Sequence, residues 1–343
     1  MAIREADAIR TFALGPDGTV RVRRYQDTPT GQAIHPSIPL ANVAIQAFAA
    51  SDQYIATQVA PEVTVDFETG NYYIFDPAQW LLVPNALRAR KTRPARIEFR
   101  VSTDAYAVKG YALAGEIAKE DLSNADRAIR LRENTTLLVT EALLRGLEDR
   151  VGSALTSGTN LGSYVVLSGT AKWSDYVNSD PLENIRIGRK FVEDRTGLSP
   201  NVAILDKDTF SVLQRHPDLL DLYKYTQGGL LPQDAIANAL QVDKVLIGRA
   251  RKNVAKEGQP ASLTNIWGNV CLLAYIDPRV VSLEAKAPIL RFVWRPEGFP
   301  APLQVLTYDD PDPGVGIEVV QVQYWSDEKI VAKDLIYGIL STI

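Results

Sequence analysis

The sequence predicts an α+β chain, and three observations carry that prediction. Twenty prolines are present, yet none falls between Pro94 and Pro181, where average usage of about 5% would place roughly four. That gap holds one long helical pattern. Runs that alternate apolar and polar residues lie on both sides of it, and from Asp180 to Pro278 short helical and strand patterns follow one another closely.

In chain order, Val63, Val65 and Phe67 alternate with polar neighbours and predict a strand, with "ETGN" (68–71) as a turn after it. Ile97, Phe99 and Val101 alternate with Glu98, Arg100 and Ser102, so the two runs are expected to pair as an antiparallel hairpin with a long tip. The tip carries Arg88, Arg90, Lys91, Arg93, Arg96 and Arg100, with Glu98 as its only acid. Such a run serves either as a solvated face or as a surface for an acidic partner.

The long helix is expected from Ser123 to Gly158. Ile129, Thr136, Leu143, Leu147, Val151 and Leu155 recur at helical spacing, while Arg127, Glu133, Glu141 and Asp149 fall elsewhere on the wheel. Ser123 and Asp126 resemble a capping box, and Gly158 supplies a stop. Gly146 and Gly152 each cost roughly 1 kcal/mol against Ala in a helix interior, which points to close packing at both.

After two Gly/Ser/Thr-rich connections comes a helix opened by Asp180 and Pro181 and closed at Gly197. "NVAILD" (201–206) predicts a buried strand, and the helical turns that follow are interrupted at His216-Pro217. "KVLIG" (244–248) and "NVCLLAYID" (269–277) predict two more strands, joined by a basic, glycine-containing loop. "TYDDPDPGVG" (307–316) is expected to be an irregular loop, and "IEVVQVQYW" (317–325) a strand ending in a turn at Ser326 to Lys329 before a final apolar segment.

Composition narrows the function. A chain of 343 residues with 46% hydrophobic content can bury a substantial core. One cysteine, Cys271, forms no disulfide framework and no zinc spacing, so folding in a reducing cytosol is expected. The charged start "MAIREADAIRTF" has no apolar signal region, and no apolar run approaches the roughly 20 residues that cross a bilayer, so no membrane partner is expected. A formal net charge of −4 argues against a dedicated basic nucleic-acid-binding domain and confines any basic patch to a local feature.

No catalytic motif emerges. His35 and His216 each precede a proline, outside any triad or metal pattern, and Cys271 sits in a run that is apolar on both parities, as a buried packing thiol does. Gly314 and Gly316 are followed by Val319 where a dinucleotide fingerprint needs its third glycine, and the prolines of "DDPDPGVGIE" defeat a calcium loop. Asp206 and Asp208 fit helix capping at least as well as acid/base work. No catalytic residue, cofactor or metal is expected.

What remains is an arm, a projecting basic hairpin and a long helix around a compact α/β insertion. Such projections need a neighbouring chain to bury them. The order of these segments, together with "NVAILDKDTFSVLQRHPDLLDLYKY" and "VLIGRARKNVAKEG" followed by "NIWGNVCLLAY", resembles the major capsid proteins of tailed bacteriophages, with their Hong Kong 97-type shell fold. The resemblance implies an N-terminal arm (1–60), an extended β-hairpin loop (61–110) and a peripheral domain with a long spine helix (111–178 and 286–343). It also implies an axial α/β domain (179–285).

It further implies a non-enzymatic subunit that forms hexamers and pentamers of a head around double-stranded DNA, assembled in the host bacterial cytoplasm. A separate scaffolding protein, a portal and a decoration protein are the expected partners, with nonspecific contact to the packaged DNA. The hairpin cations are expected to meet Asp309, Asp310 and Asp312 of an adjacent subunit, and Arg249, Arg251 and Lys252 to lie near a neighbour or the rim of a capsomer opening, with Trp267 and Cys271 as packing residues. Some members weld this loop to a neighbour through a Lys–Asn isopeptide bond. Lys91 could supply the amine, but no Asn follows Asn269, so no such crosslink is expected. Two alternatives stand beside this reading: an encapsulin-like compartment, disfavoured by the long polar arm before Ala60, and an α+β hydrolase or transferase with scattered catalytic groups.

Overall fold

The computed structural model describes residues 10–14, 20–24, 35–50, 53–74, 81, 83, 86–88, 93, 96, 102–122, 125–223, 230–256, 258–278, 286–296, 302–310 and 316–343. Two sheets and one long helix organise them.

The first sheet has six strands. β3 (His35–Pro36), β15 (Gln304–Asp309), β16 (Ile317–Ile330), β14 (Ile289–Trp294) and β4 (Glu62–Val65) lie in that order, and β7 (Lys109–Ala118) pairs along β16. The second has five strands, in the order β10 (Lys244–Gly248), β9 (Val202–Asp206), β13 (Val270–Ala274), β17 (Ile336–Leu340) and β8 (Ser163–Val166). Smaller ribbons are β1 (Arg10–Leu14) with β2 (Val20–Arg24), β5 (Thr69–Ile74) with β6 (Ser102–Ala107), and β11 (Arg251–Asn253) with β12 (Leu263–Asn265).

Helix α4 (Ala125–Thr156) is the expected long helix, about 48 Å at 1.5 Å per residue. The positions from Thr136 to Leu155 that set its apolar stripe are buried. Thr136 tolerates burial because its Oγ1 donates to the Arg132 carbonyl oxygen at 2.7 Å. The helix spans two cores. Val139 and Leu143 pack with Leu40 and Ala44 of α1 (Ile38–Ala50) on the six-stranded sheet. Leu144, Leu147, Val151 and Leu155 pack on Ile204, Leu246 and Leu272 of the five-stranded sheet.

That second sheet is buried on both faces, as the continuous apolar runs of β9 and β13 require. Alternate residues Ala203, Leu205, Cys271 and Leu273 turn to the opposite side, against α5 (Pro181–Thr196), α6 (Lys207–Leu213), α7 (Pro217–Tyr223) and α8 (Gln233–Leu240). Helix α5 begins and ends where expected. Asp180 accepts a hydrogen bond from the Glu183 amide at 2.9 Å, and Gly197 closes the helix in the left-handed region at φ 68°.

Several expectations need correction. The antiparallel hairpin exists, but β5 and β6 make it, so "ETGN" is not its turn. The bend falls at 66–68, Phe67 is exposed, and β4 instead pairs in parallel with β14. Residues 97–101 lie outside the described residues, as do Ser123 and Asn124 of the expected cap. No turn interrupts β16 at Ser326 to Lys329. Those residues pair with Val293 to Leu290, and their charge is answered from the long helix, where Arg150 binds Glu328 at 3.0 Å. Segment 286–343 divides between the sheets, since its last strand, β17, pairs with β13. The Gly/Ser/Thr-rich connection after the long helix contains β8, and Tyr308 of the predicted acidic loop belongs to β15. Close packing holds at Gly152, where a Cβ would lie 3.0 Å from Ile266, but not at Gly146, whose nearest neighbour is the tip of Arg150. Helices α1 and α8 are unforeseen, the first because alanines blur its periodicity.

Where the two cores meet, the long helix carries a buried carboxylate, Glu148. Its Oε1 accepts from the Trp267 indole at 2.5 Å and the Ile55 amide at 3.2 Å, and its Oε2 accepts from the Ala56 amide at 2.7 Å. One side chain thus joins α4, the start of α2 (Ala56–Val59) and the turn before β13. Glu148→Ala strands three buried donors, and unfolding of the unassembled subunit in urea is expected to show a loss of about 3 kcal/mol or more.

Burial holds the Glu148 carboxyl above its ordinary value, and the hydrogen bonds from Trp267, Ala56 and Ile55 only partly oppose that rise. The folded state therefore retains the proton to higher pH than the unfolded state does. Stability contributed by this group is present below the unfolded value of about 4.5 and falls as pH rises through the folded value. Urea midpoints taken from about pH 4.5 to 7 should decline more steeply for the wild type than for Glu148→Gln, and parallel curves would contradict this.

Candidate functional site

The structure brings Ser179 to His216, with Oγ 3.0 Å from Nε2, and places Asp218 beside Nδ1, a grouping with the composition of a hydrolase triad. Its hydrogen bonds run the wrong way for one. The Ser179 hydroxyl donates to the Asp175 carbonyl oxygen at 2.7 Å, and Nδ1 accepts from the Asp218 amide at 3.3 Å. Nε2 is left as the protonated nitrogen, so the imidazole donates to serine and cannot take its proton.

The Asp218 carboxylate, 3.6 Å from Nδ1, is beyond hydrogen-bond reach. Both Ser179 and His216 are buried, and burial pushes the imidazole pKa down. The group ties the 175–180 turn to the start of α7. Ser179 lies 37 residues from His216, too far for any local pattern to foretell the contact. The side chain of His35 lies outside the described residues.

Cys271 is fully buried in β13, and burial alone pushes its thiol far above the usual range. Asp206 accepts from the Asp208 amide at 3.1 Å and caps α6, as the capping reading expects. Among the described residues no group of three His, Cys, Asp or Glu side chains could hold a metal ion, and no helix is long and apolar enough to cross a membrane.

Surface candidates divide by element. Arg88, Arg93 and Arg96 are exposed on the segment beyond β5, whereas Arg90, Lys91 and Arg100 lie outside the described residues. Within one chain Asp309 is bound by Lys119 at 2.9 Å, and the Asp310 amide donates to the Ile317 carbonyl oxygen. Asp312 lies outside the described residues. The base of the hairpin is anchored by aromatics, with the Tyr72 and Tyr106 rings 5.1 and 4.9 Å from that of Phe292.

The three cations near the β10–β11 junction meet different surroundings. Arg249 is exposed, Arg251 donates through Nε to Asn265 Oδ1 at 3.1 Å, and Lys252 turns to Asp149 on the long helix at 2.6 Å. Trp267 packs in the core as expected and also supplies the indole donor to Glu148. The signal for Glu148 was present in its spacing, four residues after Leu144 and three before Val151, on the apolar stripe.

Comparison with known proteins gives this arrangement its context. No protein-family model matches the sequence. The chain is 30% identical to the major capsid protein of Pseudomonas phage JBD67 over 227 residues, which cover 65% of this chain and 72% of that one. It is 25% identical to the major capsid protein of Burkholderia phage BcepMu over 228 residues, 65% of this chain and 71% of that one. Its fold is similar to the crystal structure of a phage-related protein from Bordetella bronchiseptica RB50, with a TM-score of 0.73 at 20% identity over 91% of this chain and 99% of that one. It is also similar to the mature capsid subunit of bacteriophage PhiM1, with a TM-score of 0.53 at 10% identity over 96% and 95% of the two chains. An α+β fold shared with phage capsid subunits, and 30% identity across most of a phage capsid protein, lead to one conclusion: the chain belongs to the bacteriophage major capsid proteins.

Proposed function

We propose that copies of this chain assemble as hexamers and pentamers into a closed icosahedral or prolate head that encloses double-stranded DNA, and that the subunit catalyses no reaction. The observation that carries this reading beyond kinship is the hairpin built on β5 and β6. Val83 is 90% exposed and Leu87 92% exposed, next to exposed Arg88, Arg93 and Arg96. Apolar side chains this exposed, on the segment between the two strands, are expected to be covered by another chain.

In this reading residues 1–60 form the arm and 61–110 the extended loop. Residues 111–178 and 286–343 form the peripheral domain, lending strands β8 and β17 to the sheet of the axial domain, 179–285. Assembly takes place in the bacterial host with a separate scaffolding protein. The tip cations from Arg88 to Arg100 dock on Asp309, Asp310 and Asp312 of an adjacent subunit, where Asp309 already balances Lys119 and a second cation would bridge the copies. Charge pairs of this kind set register and association rate more than affinity.

The double variant Arg90→Glu, Arg93→Glu is expected to cut the yield of sedimenting shells by about tenfold, equivalent to about 1.4 kcal/mol. Its remaining assembly should depend less on salt than that of the wild type. Unchanged yield and unchanged salt response would sink the docking model. Wild-type shells that are boiled and reduced should run on a denaturing gel as one subunit-sized band, whereas ladders of subunit multiples would reveal a covalent link at the loop.

A further inference from the structure

A groove of about 660 Å³ opens between the residues before α2, the long helix, α6 and the β10–β11 junction. Arg145, Lys207, Arg249 and Arg251 line it, and no carboxylate does. Three other cations, two on the long helix and one on β11, differ from these four. Arg132 is answered by Glu318, Arg150 by Glu328 and Lys252 by Asp149.

Among the described residues, the groove's cations are held by neutral groups or by none. Arg145 donates to the Tyr54 hydroxyl at 3.4 Å, and Arg251 donates to Asn265 Oδ1 at 3.1 Å. Asn265 is itself fixed, since its amide nitrogen donates to Asp206 Oδ2 at 3.2 Å and to Asp208 Oδ2 at 2.8 Å. Neutral acceptors orient the guanidinium groups without cancelling their charge, which is how a site for an external anion is prepared. Lys207 and Arg249 are exposed and have no carboxylate partner among the described residues. The remaining polar side chains of the lining, Gln53, Ser211 and Gln214, can all donate.

We infer that this groove binds the phosphodiester backbone of a nucleic-acid strand. A second copy of the chain is the weaker candidate, because the densest acidic run, 309–312, is the surface proposed above to take the hairpin cations. A subunit of net charge −4 is repelled by a polyanion everywhere except at such a local concentration of cations. Neither phosphates nor sugars need acceptors from the protein here, so contact is independent of base sequence. This inference deepens the proposal that the head encloses DNA and rests on it.

The test is fluorescence anisotropy of the full-length subunit with a labelled DNA duplex of about 20 base pairs, between 50 and 200 mM salt. Four phosphate contacts predict a log–log slope near −3.6, or about 150-fold weaker binding across that range. The variant Lys207→Gln, Arg249→Gln removes two contacts and should shallow the slope by about 1.8, while Arg93→Gln, Arg96→Gln should leave it in place. Both altered pairs are exposed, so thermal unfolding should be unchanged.

No binding by the wild type, an unchanged slope in the groove variant, or a loss confined to the hairpin variant would each overturn the inference. Impaired shell assembly of the groove variant without nucleic acid would also overturn it, by assigning the groove to an acidic segment of a neighbouring copy. Failure of the wild type to form shells would count against the shell reading instead, and the slopes would still decide the groove.

Discussion

Three parts of this subunit meet at one buried carboxylate. Glu148 receives the indole of Trp267 and the first amides of α2, so the long helix is fastened at a single point to the chain entering from the N-terminal side and to the turn before β13. An ionised carboxylate in an apolar site is tolerated only when its lone pairs are filled. Three donors at hydrogen-bond distance engage both oxygens here. The surrounding side chains, Leu144, Leu147, Val151 and Ile266, exclude water from the junction. Burial raises the proton affinity of Glu148, so the carboxylate form is held there at a cost that the three donors only partly offset.

From that junction the mechanical plan of the subunit follows. Helix α4 packs one half on the six-stranded sheet and the other half on the five-stranded sheet, so the two sheets share one rigid element. Charged ties at Glu318 and Glu328 hold the helix to the long strand β16, and Lys252 holds it to the β11–β12 ribbon. A shell subunit must transmit contacts made at its edges without deforming, and a helix anchored in both cores is suited to that. The hairpin built on β5 and β6 is anchored at its base by the Tyr72, Tyr106 and Phe292 cluster.

Much of this fold was legible because local periodicity and capping are local facts. Asp180-Pro181, Gly197, the His216-Pro217 break and the stripe from Thr136 to Leu155 all appear where their chemistry places them. Pairing was less legible. A period of two states which face a residue occupies and leaves its partner strand open, which is why Val63 and Val65 were matched with the wrong run. Charges misled at Ser326 to Lys329, where "SDEK" reads as a turn until Arg150 arrives from a helix 178 residues away in sequence. Glu148 and the Ser179–His216 pair share that difficulty, since their partners come from distant segments. The groove cations were scattered over more than 100 residues and had no motif to announce them; only Arg249 and Arg251 stood out, as part of a basic loop.

The central claim is that this chain builds a closed shell, and the most direct measurement is negative-stain electron microscopy combined with light-scattering mass on the purified protein at low and high salt. Closed shells or uniform capsomer rings are expected, with masses at subunit multiples. A stable monomer or dimer under both conditions, even with a scaffolding protein co-expressed, would contradict it.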